Sequence, residues 1–203
     1  MMSSKISGVT LTWNSATYLP RLLSNIVPYV DEMLVIDEGS TDDTRLIAAE
    51  YGCRFFVNTN KFHFADKRNF GIQMAKNEWV LMLDDDEYLP VEAYPYLRSL
   101  ISQPDFVRQY HAVKFPRQNF VDKKLRTEAG DDLQVRLFRH FCRWIYAVHE
   151  ELVGWREAFV SPYAIVHDKT TVDVTSDHEM YAVIEAMGID VLLPEVVPHD
   201  CAV

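Results

Sequence analysis

The chain has 203 residues, 48% of them hydrophobic, enough for one domain with a real core and too short for a second domain of ordinary size. Its 20 basic and 30 acidic residues leave a formal charge of −10, which the phosphate backbone of a nucleic acid would repel, so a nucleic-acid partner is unlikely on charge grounds. The opening MMSSKISGV has no apolar core of a leader, and no run reaches bilayer length, so a soluble, cytoplasmic protein with no transmembrane segment is expected.

Residues 5–13, KISGVTLTW, are β-branched and apolar and stop at Asn14-Ser15, which predicts a strand running into a loop. From Thr17 the positions Leu19, Leu22, Leu23, Ile26 and Val27 recur at helical spacing, and Pro28 marks the end of that helix. EMLVID (32–37) is an apolar run closed by an acid and predicts a second strand. GSTDDT then offers a turn, an N-cap and two aspartates suited to a helix N-terminus, so a helix is expected from Asp42 to Tyr51. CRFFV is a third strand, Ala65 to Ala75 a third helix, and EWVLMLD (78–84) a fourth strand. This α/β alternation predicts a parallel, helix-covered sheet with ligands beyond the carboxyl ends of its strands, where Asn14, Asp37 and the acids after residue 83 fall.

Beyond Pro104, YHAVKFPRQNF (110–120), DLQVRLFRHF (132–141) and FVSPYAIVHD (159–168) predict a β-rich second half. A short helical pattern runs from Thr175 through Met187, and VLLPEVVP (191–198) needs a partner surface, as in a homo-oligomer. Cys53, Cys142 and Cys201 are odd in number, far apart and without a CxxC pair, which favours buried free thiols over a disulfide framework or a zinc site.

The four acids Asp84, Asp85, Asp86 and Glu87 directly follow the apolar run WVLML and must repel one another unless something offsets the charge. If the strand continues through them, Asp84 and Asp86 share a face and Asp85 points the other way. Two carboxylates on one face suit a hard divalent ion such as magnesium, and that ion would be the offset. The competing reading is a solvated acidic loop or helix cap, with Glu87 and Glu92 flanking a helix start near Pro90.

The first strand with Asn14, then VIDEGSTDDT (35–44), then ADKRNFGIQMAKNEWVLMLDDDE (65–87), resembles the family 2 glycosyltransferases of the GT-A fold, particularly the branch with lipopolysaccharide core and peptide glycosyltransferases. The likeness is dense over residues 6–90 and thinner afterwards, where RLFRHFCRWIYAVHEEL (136–152) resembles a later segment of that branch. It implies a single domain over 1–203, with a donor half at 1–103 and an acceptor half and tail at 104–203. It also implies a nucleoside-diphosphate sugar donor, a divalent manganese or magnesium ion, and transfer with inversion to a hydroxyl acceptor such as a glycan, lipid-linked sugar, peptide or small molecule.

Carried onto this chain, the resemblance groups Asn14, Asp37, Glu38, Lys67, Arg68, Asp84 and Asp85 as donor-binding. Asp37 would lie near the base or ribose, and Glu38 takes the place of the motif's usual second acid. Arg68 would lie at the diphosphate with Lys67 as a point charge, and Asp84 at the ribose or the metal's waters. Asp86 would ligate the metal, joined by His167, and Glu150 would be the base that deprotonates the acceptor, with Glu151 as the alternative. His149 would bind phosphate, ligate the ion or orient the acceptor. Trp144 or Trp155 would wall the acceptor site, while Arg136, Arg139 and Arg143 face either a phosphate or solvent. The rival readings are an aspartyl-nucleophile phosphohydrolase, whose D-x-D belongs on an early strand, and a non-catalytic nucleotide-sugar-binding module that lacks a base.

Overall fold

The structure, a computed structural model, describes residues 4–60, 63–126, 132–147 and 149–187. The first half contains β1 (Ile6–Thr12), α1 (Leu19–Ile26), β2 (Glu32–Asp37), α2 (Thr44–Glu50), β3 (Arg54–Val57), α3 (Phe64–Met74) and β4 (Trp79–Met82). Then come β5 (Glu87–Tyr88), α4 (Ala93–Ile101), α5 (Pro104–Gln109), β6 (Ala112–Val121), β7 (Lys124–Leu125) and β8 (Leu133–Arg139). The chain continues with β9 (Arg143–Ile145), β10 (Glu151–Val153), β11 (Ala158–Val160), β12 (Ile165–Lys169) and α6 (Thr171–Ala186).

The sheet runs β3-β2-β1-β4-β8-β6-β12-β5, with β7 and β11 also paired to β6. Its first four strands are parallel, as the strand–helix rhythm predicts. The antiparallel β8 then joins β4 to the β-rich second half, so the whole sheet is mixed. Every residue of β1 and β4 is buried, which suits near-continuous apolar runs covered on both faces. On one face α1 buries Leu19, Leu22, Leu23 and Ile26. On the other lies α3, whose close approach depends on Gly71: a Cβ there would stand 2.7 Å from Val9 Cγ1.

Two expectations are corrected here. The fourth strand stops at Met82, and Asp84 to Asp86 form a turn in which Glu87 N donates to Asp84 O (3.0 Å), so strand alternation does not order those carboxylates. The last helix begins at Thr171, four residues early, and packs against the body through Tyr181 and Ile184. The segment 191–198 and Cys201 lie outside the described residues. Among the described residues, no helix is long and apolar enough to cross a membrane.

Candidate active site

A cleft of about 470 Å³ opens beyond the carboxyl ends of β1 and β4, between the acidic turn, α3, the segment before β10, β12 and α6. Glu38, Arg68, Asp84, Asp85, Asp86, Glu150 and His167 all line it, so seven of the residues singled out from sequence meet there.

Two acids of the segment, Asp84 and Glu87, are neutralised by an arginine side chain. Glu87, wholly buried, takes Arg136 Nε and Nη2 at 2.7 and 2.8 Å, and the same Nη2 reaches Asp84 at 2.7 Å. Arg136 therefore faces neither a phosphate nor solvent. Burial disfavours ionisation of Asp84, but the guanidiniums of Arg136 and Arg68 outweigh it and hold that carboxyl well below the usual range. Asp85 lacks such support: burial, reinforced by the charge of Asp86, pushes it up to about 8.

Arg68 comes from the second turn of α3, whose first turn is capped by His63. Its Nη2 pairs with Asp84 and its Nε with Glu150, both at 2.9 Å, over the ring of Trp144. Its Nη1 is buried with no hydrogen-bond partner. The side-chain amide of Asn69 locks α3 to β9, exchanging 2.8 Å bonds with the backbone N–H and carbonyl of Trp144. This brace and the left-handed backbone at Tyr146 and His149 (φ 69° and 53°) deliver Glu150 to Arg68. Glu151 begins β10 on the exposed side, and the His149 ring lies 5.7 Å from that of Tyr181.

His167 stands on β12 opposite Asp86. Its Nδ1 is 2.7 Å from Asn119 Oδ1, and Asn119 uses its amide N–H on Asp132, so the imidazole donates through Nδ1 and turns Nε2 toward Asp86. That Nε2 is 3.4 Å from Asp86 Oδ2. At that distance the pair is joined either by a proton on Nε2 or by a metal ion held between the two atoms. Burial works against ionised Asp86, yet His167 and Lys169 keep its pKa lowered, and its Oδ1 is buried without a partner. Among the described residues, no group of three or more His, Cys, Asp or Glu side chains is gathered tightly enough to hold an ion alone.

Other expected contacts are otherwise engaged. Asp37 is 2% exposed, and its oxygens accept from Thr12 Oγ1, Ser40 Oγ and the N–H groups of Gly39 and Ser40, so it shapes the loop after β2. Asn14, exposed, ties two loops together through Ser40 and Thr41. Lys67 is buried against Glu38 and over the Phe64 ring. Burial and the nearby Arg68 pull its ammonium down to about 7, while the directly contacting Glu38 carboxylate favours the charged form. Trp144 belongs to the core and Trp155 packs on it, so neither walls the cleft. Arg139 pairs with Glu78, and Arg143 donates to backbone carbonyls.

Sequence reasoning missed Arg117, Lys169, Asp177 and Tyr181, all lining the cleft. The signals were present for two pairs: Lys169 is two positions from His167 on one strand face, and Asp177 and Tyr181 are four apart on a helix.

The Glycosyl transferase family 2 model matches residues 7–153, and the chain belongs to that family. Its fold is the GT-A fold of Staphylococcus aureus TarS, which superposes with a TM-score of 0.61 over 92% of this chain and 40% of TarS at 16% identity. In sequence it is similar to a TPR repeat-containing protein of Synechococcus elongatus, 37% identical over 102 residues, covering 50% of this chain and 25% of that one. An uncharacterized glycosyltransferase of Rickettsia felis is 34% identical over 88 residues, covering 43% and 31%. The chain thus spans about a third or less of the length of these curated relatives.

Proposed function

We propose that the chain is a metal-dependent, inverting glycosyltransferase that moves a sugar from a nucleoside-diphosphate sugar to a hydroxyl acceptor. The observation that carries this reading is the facing pair Asp86 and His167, with the imidazole oriented by Asn119, an unpartnered buried carboxylate oxygen and a 3.4 Å gap. Those two side chains would hold a manganese or magnesium ion whose other ligands come from phosphate oxygens and water, the usual arrangement when few protein ligands are present. When bound, the ion supplies charge neutralisation for the departing diphosphate.

The protein's own groups do the rest. Arg68 directs its unpaired Nη1 to a diphosphate oxygen. Its pairing with Glu150 holds that carboxylate in place. Glu150 takes the acceptor's proton as the acceptor oxygen attacks the anomeric carbon from the face opposite the diphosphate, whose bond to the sugar breaks. A single displacement of this kind inverts the anomeric centre. TarS, which shares the fold, has been solved in complex with UDP, so uridine nucleotides are the first donors to try.

The test is donor turnover followed by NMR of the product's anomeric configuration. Glu150→Gln is expected to lower turnover by a factor of about 100 or more while nucleotide affinity holds. Unchanged turnover would remove Glu150 as the base, and a retained configuration would remove the single displacement.

A further inference from the structure

Lys169 lies on β12 two residues beyond His167, and its Nζ stands 3.3 Å from Asp86 Oδ2, the same oxygen that His167 faces at 3.4 Å. The ammonium also contacts the Asp177 carboxylate on α6 directly. The chain therefore already places one cation on the carboxylate that the proposed function gives to a metal ion. A divalent ion bound there would sit within a few ångströms of Nζ, and both charges repel in a largely buried cleft.

We propose that Lys169 is an internal competitor of the divalent ion at Asp86, and that Asp177 takes up its ammonium when the ion binds. The inference rests on the metal reading above and concerns what sets the ion's affinity. Two features of the geometry favour exchange over permanent pairing. Lys169 is held from both sides, so leaving Asp86 does not strand its charge. Asp86 keeps its buried second oxygen unpartnered, so the carboxylate has a lone pair that no protein group claims when an ion takes the lysine's place. By linkage, whatever weakens the Lys169–Asp86 contact strengthens metal binding, and whatever removes the lysine's alternative partner weakens it.

The test is titration with Mn²⁺ alone, free ion being counted by electron paramagnetic resonance, on the wild type, Lys169→Met and Asp177→Asn, each checked for native circular dichroism. Lys169→Met is expected to bind Mn²⁺ about tenfold more tightly, and Asp177→Asn to bind it a few fold more weakly. A merely structural role for the lysine would weaken binding in both variants. Equal or weaker binding by Lys169→Met overturns the competition while leaving the metal reading in place. If none of the three proteins binds Mn²⁺, the inference and the metal reading fall together. If Lys169→Met does not fold, unchanged or tighter binding by Asp177→Asn overturns the proposal.

Discussion

Arg136 grips Glu87 with two hydrogen bonds, at 2.7 and 2.8 Å, in a place where the two residues are 3% and 0% exposed. Breaking a buried pair from one side leaves a charge without compensation. Arg136→Met is therefore expected to cost about 3–5 kcal/mol in urea unfolding. Adding Glu87→Met should recover much of that loss, because both buried charges are then gone. A double variant no more stable than the single one would mean that Asp84 and Arg117, the other partners of this network, carry the fold's need for it.

Asp84 sets the acid limb of stability. Its folded carboxyl is held well below the ordinary aspartate range by the guanidiniums of Arg136 and Arg68. The stabilisation is therefore fully present above the unfolded value and is lost as pH falls through the folded one. Urea midpoints should drop steeply below about pH 4, and Asp84→Asn should flatten that fall. An equally steep acid limb in Asp84→Asn would assign the effect to other carboxylates.

Trp13 directly follows β1 at the rim of the cleft with 54% of its surface exposed. A nucleobase stacked on an indole contributes about 1–3 kcal/mol. Trp13→Ala is expected to weaken nucleotide binding by that amount without lowering stability, as compared by calorimetry and thermal melting. Unchanged affinity would place the base elsewhere in the cleft.

Burial pushes the Cys53 thiol up to about 11 and Cys142 up to about 12. The thiolate is the reactive form, so iodoacetamide at about pH 8 should leave both unmodified in the folded protein, with labelling rising as pH increases. Peptide mass spectrometry checks this site by site, and rapid labelling of Cys142 would show that the core around it opens.

The reach of sequence reasoning differs between the two halves. β2 is found at 32–37 as predicted, because a continuous apolar run closed by Asp37 and a glycine turn is a local signal. Glu38, Asp84 and Asp86 meet in one cleft because parallel strands bring their carboxyl ends to one edge, and α3, the segment before β10 and β12 carry Arg68, Glu150 and His167 to it. What escaped was set by a contact distant in sequence for Arg136 and by local turns for Asp37 and the acids. Arg136 reads as one basic residue among several until β8 lies beside β4 and turns it under the acids. Asp37 has the residue type of a ligand contact, and its carboxylate also accepts from Thr12, Gly39 and Ser40, a loop-shaping role that its residue type alone does not reveal. The strand alternation assumed for Asp84 and Asp86 failed because the Asp84–Glu87 turn replaces the ladder after Met82.

The most direct test of the central claim is calorimetric titration with UDP, GDP, CDP and dTDP, with and without manganese or magnesium, on the wild type and on Asp86→Ala. Binding of one nucleotide that requires the metal and disappears in Asp86→Ala is the predicted result. Nucleotide binding that is indifferent to both the metal and Asp86 would contradict the metal-centred site, and no binding at all would contradict the donor site itself.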